Sequence, residues 1–209
     1  MNANKPFVLG LSGLSGAGKT FYIQHLKSLL KDRLSILTFD DYYKPFSEQK
    51  IDEKGVPNFD LPSALNYELY ICHLKLLIQG QTVCKEQYQF ELEDPEMKIL
   101  EIPSAPVIMA EGLFVYEIEE IRNLLDYKIF LTCDESLCLE RRLKRDTEER
   151  GIPEERSTYQ WDAHVLPAYK QFIKPYQTLC DVTYHNEGSP EGNLEHLTKI
   201  VQDRTTILD

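Results

Sequence analysis

The fold of this chain is decided by the stretch Gly13-Leu14-Ser15-Gly16-Ala17-Gly18-Lys19-Thr20. An apolar run at residues 7–11 precedes it and predicts a buried strand, and residues 19–30 carry apolar side chains at the spacing of one helix face. Glycines let the backbone turn successive N–H groups toward one centre, and the N-terminus of the following helix adds partial positive charge. The stretch therefore predicts a strand, a phosphate-binding loop and a helix, in that order.

The same stretch matches the P-loop pattern G-x-x-x-x-G-K-[ST]. In this pattern Lys19 reaches the β- and γ-phosphates of a nucleotide, and the hydroxyl of Thr20 binds Mg²⁺. The other residues predicted to contact the phosphates are Gly13, Ser15, Gly16, Ala17 and Gly18. A chance match in a chain of this length has a frequency of roughly one in a hundred. The alternative, a plain glycine-rich turn, therefore explains the stretch less well.

Apolar strands alternate with helices along the rest of the chain. Further strands are predicted at residues 35–39, 107–110, 128–131 and 181–184, and further helices at residues 65–79, 117–125, 135–150, 158–173 and 193–204. Residues 42–62 are predicted to form an irregular loop, and residues 81–102 a small antiparallel hairpin. The predicted fold class is α/β: a P-loop NTPase-type parallel β-sheet flanked by helices, with a hairpin insertion and a helical lid.

Charge and length exclude several classes of function. The chain has 209 residues and a net charge of −11, which argues against nucleic acid and anionic membranes as partners. A small anion needs only a local positive site, so it is compatible with this charge. The five cysteines form no Cys-x-x-Cys pair, and the first apolar segment is too short for a signal peptide. We therefore expect a cytoplasmic protein without a zinc site.

Acidic residues follow two of the predicted strands. Asp40 and Asp41 come after the strand at residues 35–39, and Glu111 comes after the strand at residues 107–110. Because ligands bind beyond the carboxyl ends of parallel strands, Glu111 is predicted to hold Mg²⁺ through water. Adjacent side chains point in different directions, so only one aspartate is predicted to accept the proton of a substrate hydroxyl. The alternatives are a loop-capping Asp pair and a helix-capping Glu.

Two further groups of residues leave alternatives open. Asp60 could bind sugar hydroxyls or cap the helix that starts near Ser63. Residues 141–150 concentrate five positive charges, and they could form a solvated helix face or a lid that closes over phosphates. Arg142, Lys144 and Arg145 exceed the positive charge that local pairing needs, which favours the lid once the P-loop is taken into account.

Together these motifs resemble the uridine kinase (uridine–cytidine kinase) family, which is related to phosphoribulokinase and bacterial pantothenate kinase. The resemblance spans nearly the whole chain and rests on the P-loop and on residues 39–44, 58–65, 110–112, 142–151 and 167–181. It implies a single kinase domain over residues 1–209, with a substrate-side insertion at about residues 81–102 and a lid at about residues 135–156. It also implies ATP and Mg²⁺, a small-molecule acceptor and a homo-oligomer.

The resemblance assigns roles residue by residue. Asp40 matches the general base and lies beside the metal, with Thr20 and Glu111 as the other metal residues. The matches on the catalytic and nucleotide side are Lys19, Arg145 and Arg150, and those on the substrate side are Asp60, Tyr88, Arg142 and Gln160. Residues 186–188 fall where the adenine-side loop of the family lies.

Five positions depart from the substrate-side pattern of the family: Gln89 replaces an Asp, Glu93 a base-reading His, Pro95 an Arg, Leu61 a His and Ile152 an Arg. A glutamate cannot donate a hydrogen bond to a pyrimidine carbonyl unless it is protonated. The departures leave the residues for phosphate chemistry intact, and they leave the identity of the acceptor undecided.

The predicted function is ATP-dependent phosphoryl transfer to a hydroxyl of a small molecule, above all the 5′-hydroxyl of uridine or cytidine. One alternative is a kinase for another nucleoside, pantothenate or a sugar phosphate. Another is a nucleotide-dependent switch protein, although the sequence contains no guanine-reading Asn-Lys-x-Asp.

Overall fold

The computed structural model of the chain describes residues 5–88 and 98–205. Its strands and helices are, in chain order, β1 (Phe7–Gly13), α1 (Lys19–Leu30), β2 (Leu34–Thr38), β3 (Lys50–Ile51), β4 (Pro57–Asn58), α2 (Tyr67–Ile78), β5 (Val83–Glu86), β6 (Ile99–Ile102), β7 (Val107–Glu111), α3 (Glu119–Arg122), β8 (Tyr127–Thr132), α4 (Glu135–Arg150), α5 (Glu154–Gln160), α6 (Leu166–Ala168), β9 (Val182–His185) and α7 (Glu191–Arg204).

Five strands form the central sheet, in the order β2-β7-β1-β8-β9, and every neighbouring pair is parallel. The middle strand β1 is buried along its whole length, as is β7 beside it. Parallel strands covered on both faces read as continuous apolar runs, which is why periodicity alone located them. The predicted parallel sheet flanked by helices is confirmed.

Helix α1 packs against β1, β2 and α7, and helix α2 packs against β7 and β5. Aromatic side chains fill much of the core on the α2 side. The rings of Phe39 and Tyr70 stack with their centroids 4.0 Å apart, and the Tyr70 hydroxyl donates to the carbonyl oxygen of Leu37. This packing anchors the chain immediately after β2. Among the described helices, none is long and apolar enough to cross a lipid bilayer.

The chain after β2 turns earlier than the sequence predicted. Residues Phe39–Tyr42 form a 3₁₀ turn, and the Thr38 side chain accepts a hydrogen bond from the backbone N–H of Asp40. Phe39 extends the apolar run of the sequence, but its ring packs on α2 and not in the sheet. The turn sets the direction of the two aspartates that follow.

The irregular loop predicted over residues 42–62 contains a two-stranded ribbon, so that prediction is wrong in part. Lys50 pairs with Asn58, and Ile51 pairs with Pro57. Asp52 closes the ribbon, because its Oδ1 accepts from the backbone N–H of Lys54 and of Val56. An Asx turn of this kind is driven by one side chain and leaves little hydrophobic pattern in the sequence.

The predicted hairpin is confirmed in its described part. Strands β5 and β6 are antiparallel, from the pair Val83–Ile102 to the pair Glu86–Ile99. Residues 89–97 lie outside the described part, and with them lie Gln89, Glu93 and Pro95.

The helical segment that follows α4 runs from residue 154 to residue 173, four residues longer than predicted at its start. Two π-helical turns, Trp161–Val165 and Tyr169–Ile173, flank α6. Pro167 lies between them and has no N–H to donate, which favours a wider turn on either side. The first π turn carries His164, which faces the candidate site described next.

Candidate active site

A cleft of about 380 Å³ opens where the central strands end. The P-loop after β1, the turn after β2 and the last residue of β7 line it together. Side chains of α4 and of residues 152–164 form the remaining wall. The structure therefore brings most of the residues singled out in the sequence into one cavity.

The P-loop depends on two glycines in the left-handed region. Gly16 has a φ of +82° and Gly18 a φ of +97°. A Cβ atom on Gly16 would lie 2.2 Å from the carbonyl oxygen of Cys138, and one on Gly18 would lie 2.3 Å from Asn186 Nδ2. Both positions therefore need glycine for conformation and for space. Gly13, Ser15, Ala17 and Thr20 complete the same loop and its junction with α1.

Lys19 bends back over this loop, and its Nζ donates to the carbonyl oxygen of Gly13 at 3.1 Å. Burial lowers the pKa of Lys19, and the carboxylates of Glu111 and Asp40 act in the opposite direction. A buried ammonium group held by its own loop and facing two carboxylates is suited to exchange these contacts for phosphate oxygens.

Glu111 ends β7 inside the cleft and does not cap a helix. Its Oε1 accepts a hydrogen bond of 2.6 Å from the Thr38 hydroxyl. Burial, together with the nearby charge of Asp40, raises the pKa of Glu111 to about 7. Within the described part of the chain, no three His, Cys, Asp or Glu residues form a ready metal cluster. Mg²⁺ needs only one or two carboxylates when phosphates and water supply its other ligands, so Thr20, Asp40 and Glu111 fit it.

The two adjacent aspartates after β2 separate. Asp40 lines the cleft, whereas Asp41 turns toward the β5–β6 hairpin and lies 2.5 Å from Lys85 Nζ. One carboxylate is therefore available to a substrate, and the other serves to hold the turn.

Three arginines of α4 converge on one buried carboxylate, that of Asp146, which has no exposed surface. Their closest contacts with it are 3.2 Å for Arg142 Nε, 2.9 Å for Arg145 Nη2 and 3.6 Å for Arg150 Nη1. The hydroxyl of Ser157 adds a hydrogen bond of 2.7 Å. Burial alone would raise the pKa of Asp146, but Arg142 and then Arg145 outweigh it, and the pKa lies below its usual value.

This arginine cluster, defined as Arg142, Arg145, Arg150 and their shared partner Asp146, reaches the P-loop directly. Arg142 Nη1 donates to the hydroxyl of Ser15 at 3.1 Å. All three arginines line the cleft. The cluster concentrates positive charge where an anion would bind, although the whole chain is acidic.

The acceptor side of the cleft, defined as its lining residues in segments 43–60 and 152–164, is partly aromatic. The rings of Tyr43 and Phe59 meet edge to face at 5.5 Å. Asp60 and Gln160 bring polar groups into it. Asp60 caps no helix, because the N-cap of α2 is Asn66. Burial raises the pKa of Asp60, against the opposing effect of Arg142.

A comparison of the whole sequence with family profiles gives a match over residues 8–188 to the profile described as the phosphoribulokinase/uridine kinase family. The chain belongs to this family. It is 33% identical to a uridine kinase of Brevibacillus brevis over 197 residues, which cover 93% of this chain and 92% of the relative. It is 34% identical to a uridine kinase of Bacillus mycoides over 198 residues, covering 94% and 91%.

A solved phosphoribulokinase from Rhodobacter spheroides shows the same fold. Its TM-score is 0.61 at 14% identity, over 87% of this chain and 70% of that one. The family and fold predicted from the ordered motifs are thus confirmed.

Two residues lie elsewhere than the sequence suggested for this family. Lys144 is exposed and does not belong to the lining of the cleft. Arg141 lines the cleft in its place, and both of its Nη atoms donate to the carbonyl oxygen of Asn186 at 3.2 Å. Tyr88 stands behind Tyr43, with 5.4 Å between the ring centroids, and the described cleft lining reaches Tyr43. Of the substrate-side departures, Ile152 lines the cleft.

Sequence reasoning missed Asp146 and His164 as parts of the site. Asp146 had a local signal, because it lies four residues after Arg142 and four before Arg150 on one helix. His164 had none. Its partner Asp52 lies 112 residues away in the chain, and no pattern of apolar residues links the two.

Proposed function

We propose that this protein is an ATP-dependent kinase that phosphorylates the 5′-hydroxyl of a pyrimidine nucleoside, uridine or cytidine. One observation carries the proposal: the P-loop lysine Lys19 and the strand-end carboxylate Asp40 line one cleft and interact electrostatically. A group that binds phosphate and a group that can take a hydroxyl proton are what direct phosphoryl transfer requires. The family relationship and the full-length similarity to uridine kinases support the nucleoside as acceptor.

On the donor side, the backbone N–H groups of the P-loop and Lys19 would hold the ATP phosphates. Mg²⁺ would be held by Thr20, Asp40 and Glu111, directly or through water, and it would supply positive charge that offsets the charge of the phosphates. The glycines at positions 16 and 18 let the loop pack closely against Cys138 and Asn186, which supports its curled shape.

Asp40 orients the acceptor hydroxyl and takes its proton as the oxygen attacks the γ-phosphorus. Charge then builds on the transferring phosphoryl group and on the leaving β-phosphate. Lys19, Arg145 and Arg150 meet that charge as cations already held in the wall of the cleft. Asp146 holds the guanidinium groups in place before the substrates arrive, so that little reorganisation is needed.

On the substrate side, Asp60 would accept hydrogen bonds from the ribose hydroxyls, with Arg142 and Gln160 beside it. Tyr88 would support the base pocket from behind Tyr43. We also propose that residues 1–209 act as one kinase domain. The homo-oligomer implied by the family resemblance stays a prediction.

The test is an ADP-release screen of the full chain with ATP and Mg²⁺ against nucleosides, pantothenate, ribulose 5-phosphate and other small alcohols. Stimulation by uridine or cytidine, with the nucleoside 5′-monophosphate as product, is the expected result. Stimulation by a different alcohol would show that the protein is a kinase with another acceptor. Slow hydrolysis that no acceptor stimulates would favour a nucleotide-dependent switch and overturn the proposal.

A further inference from the structure

An Asp–His pair lies on the acceptor side of the cleft and has no role in the chemistry proposed so far. His164 sits in the π turn after α5, is 3% exposed and lines the cleft. Its Nε2 lies 2.8 Å from Asp52 Oδ2. The pair joins the β3–β4 ribbon to the helical segment at residues 154–173, two parts of the chain that enclose the acceptor side.

The surroundings of Asp52 determine which nitrogen of His164 carries the proton. Asp52 Oδ1 accepts from two backbone N–H groups, at 2.9 and 2.8 Å. Its Oδ2 accepts from the Tyr159 hydroxyl at 2.6 Å, and this bond keeps the pKa of Asp52 below its usual value. An ionised carboxylate can only accept hydrogen bonds, so His164 Nε2 must be the donor.

In its neutral form the ring then presents its other nitrogen, Nδ1, as a hydrogen-bond acceptor. The described residues give Nδ1 no hydrogen-bond partner. Asp60 lines the cleft together with His164. Two acceptors, an imidazole nitrogen and a carboxylate, thus lie in the wall of one cleft.

A second layer of polar contacts holds the partner of His164 in place. Tyr159 binds Asp52 through its hydroxyl, and Lys54 Nζ lies 4.1 Å above the Tyr159 ring. These contacts fix the carboxylate, and the carboxylate fixes the imidazole. A residue held in one tautomer by a second layer of groups is typical of a ligand-reading side chain.

We propose that His164 is a specificity-determining residue, which reads an O–H or N–H donor group of the acceptor through Nδ1, and that Asp52 and Tyr159 are its positioning residues. The inference rests on the proposed function and narrows it. On a pyrimidine nucleoside, the group read is a ribose hydroxyl, the exocyclic amine of cytosine or the N3–H of uracil.

The main test compares His164→Phe, which keeps a planar ring, with His164→Gln, whose amide can donate to Asp52 and accept from the ligand. We expect His164→Phe to raise the acceptor KM about tenfold or more, because a site built for a hydrogen bond loses it. The ATP KM should stay within about twofold, and His164→Gln should recover part of the acceptor affinity.

Paired acceptors show which donor group is read. A preference for cytidine over uridine that depends on His164 indicates the amine, the opposite preference indicates the N3–H of uracil, and 2′- or 3′-deoxynucleosides test the hydroxyls. If His164 reads the group that differs within a pair, the ratio of the two acceptor KM values should move toward one in His164→Phe. It should not change in the control His25→Phe, because His25 is a half-buried histidine bonded to Thr198. Unchanged discrimination in every pair, or equal rises in the KM of ATP and of acceptor, would overturn the inference.

A spectroscopic measurement separates a reading role from a purely structural one. The ¹⁵N shifts of His164 in the full chain should show a protonated Nε2 and a bare Nδ1, and nucleoside addition should move Nδ1. In Asp52→Asn the tautomer preference should weaken, and the acceptor KM should rise without a matching fall in kcat. A protonated Nδ1 in the unaltered protein would contradict the assignment.

Failure of this inference differs from failure of the proposed function. If uridine or cytidine is phosphorylated and His164→Phe leaves every acceptor KM unchanged, only the inference falls. If the active acceptor is a different alcohol and His164→Phe raises the KM of that alcohol but not of ATP, the nucleoside is rejected as the acceptor, and the role of His164 is supported. If no acceptor stimulates ADP release, both fall.

Discussion

Lys85 Nζ lies 2.5 Å from Asp41 Oδ2, and this contact ties the β5–β6 hairpin to the turn that carries Asp40. The Lys85 side chain is 3% exposed and that of Asp41 is 12% exposed. Lys85 also lies 5.0 Å above the ring of Tyr42. Burial lowers the pKa of Lys85 and the carboxylate of Asp41 raises it. The carboxylate next to Asp40 is thus part of a buried ion pair.

Replacing this lysine should therefore disturb both stability and the site. We expect Lys85→Met to lower the free energy of unfolding by about 3 kcal/mol, because it leaves Asp41 without its partner in a nearly buried position. Denaturant titration measures this change. Lys128→Met is the control, because Lys128 and Asp181 form a longer and more exposed pair at 3.8 Å, for which we expect less than about 1 kcal/mol. Equal losses in the two variants would contradict the interpretation.

Asp146 should matter for both stability and turnover, because three arginines share its carboxylate. Asp146→Asn leaves the arginine cluster without its shared carboxylate, so we expect a loss of about 3–5 kcal/mol in unfolding free energy and a clear fall in kcat. Asp203→Asn, on the exposed side of α7, should change the free energy by less than about 0.5 kcal/mol. Normal kcat in a folded Asp146→Asn protein would exclude the positioning role.

The same carboxylate predicts a pH dependence of stability. Its pKa in the folded protein lies below the usual 3.8. A carboxylate of this kind adds stability above its unfolded pKa and loses the contribution as pH falls through the folded value. Unfolding free energy should therefore decline below about pH 4, and Asp146→Asn should show a flatter decline in that range. Denaturant titrations at a series of acidic pH values compare the two proteins, and parallel curves would disprove the assignment.

The P-loop should tolerate no side chain at Gly16. With a φ of +82° and a backbone oxygen 2.2 Å from the position of a Cβ, Gly16→Ala must distort the loop or the start of α4. We expect a loss of about 1–3 kcal/mol in stability and a large loss of ATP affinity by calorimetry. Gly192→Ala is the matched control, because a Cβ there meets nothing within 4 Å and lies in α7. Its stability should stay constant or rise by up to about 1 kcal/mol.

Asp40→Asn should abolish turnover and spare ATP binding. An amide cannot take the hydroxyl proton, so kcat should fall by about 10²-fold or more while the ATP dissociation constant changes little. Asp41→Asn, next to it, is expected to lower stability more than kcat, because Asp41 faces Lys85. Near-normal turnover in Asp40→Asn would show that another group serves as the base.

Much of the fold could be predicted because its signals are local. The strand, loop and helix over residues 7–30 are encoded in one short segment, and the apolar runs that became β7 and β8 are continuous. The β3–β4 ribbon escaped prediction, because it depends on the turn made by Asp52 and not on alternating apolar residues. The helix predicted at residues 117–125 is shorter in the structure, where α3 covers only Glu119–Arg122.

The candidate site divides in the same way. Asp40, Glu111 and the P-loop residues could be found because each follows a strand, and strand ends of a parallel sheet meet at one edge. The direction of Asp41, the exposure of Lys144 and the pairing of His164 with Asp52 depend on side chains far apart in the chain.

By itself, the sequence determined the order of strands and helices, the phosphate-binding loop and the family, because backbone propensities and apolar periodicity act over a few residues at a time. The tertiary structure alone decided which distant side chains meet. It bonded Asp146 to Ser157, turned Asp41 away from Asp40 toward Lys85 and held His164 against Asp52. Such contacts form only when packing brings distant segments together and excludes the water that would otherwise screen them.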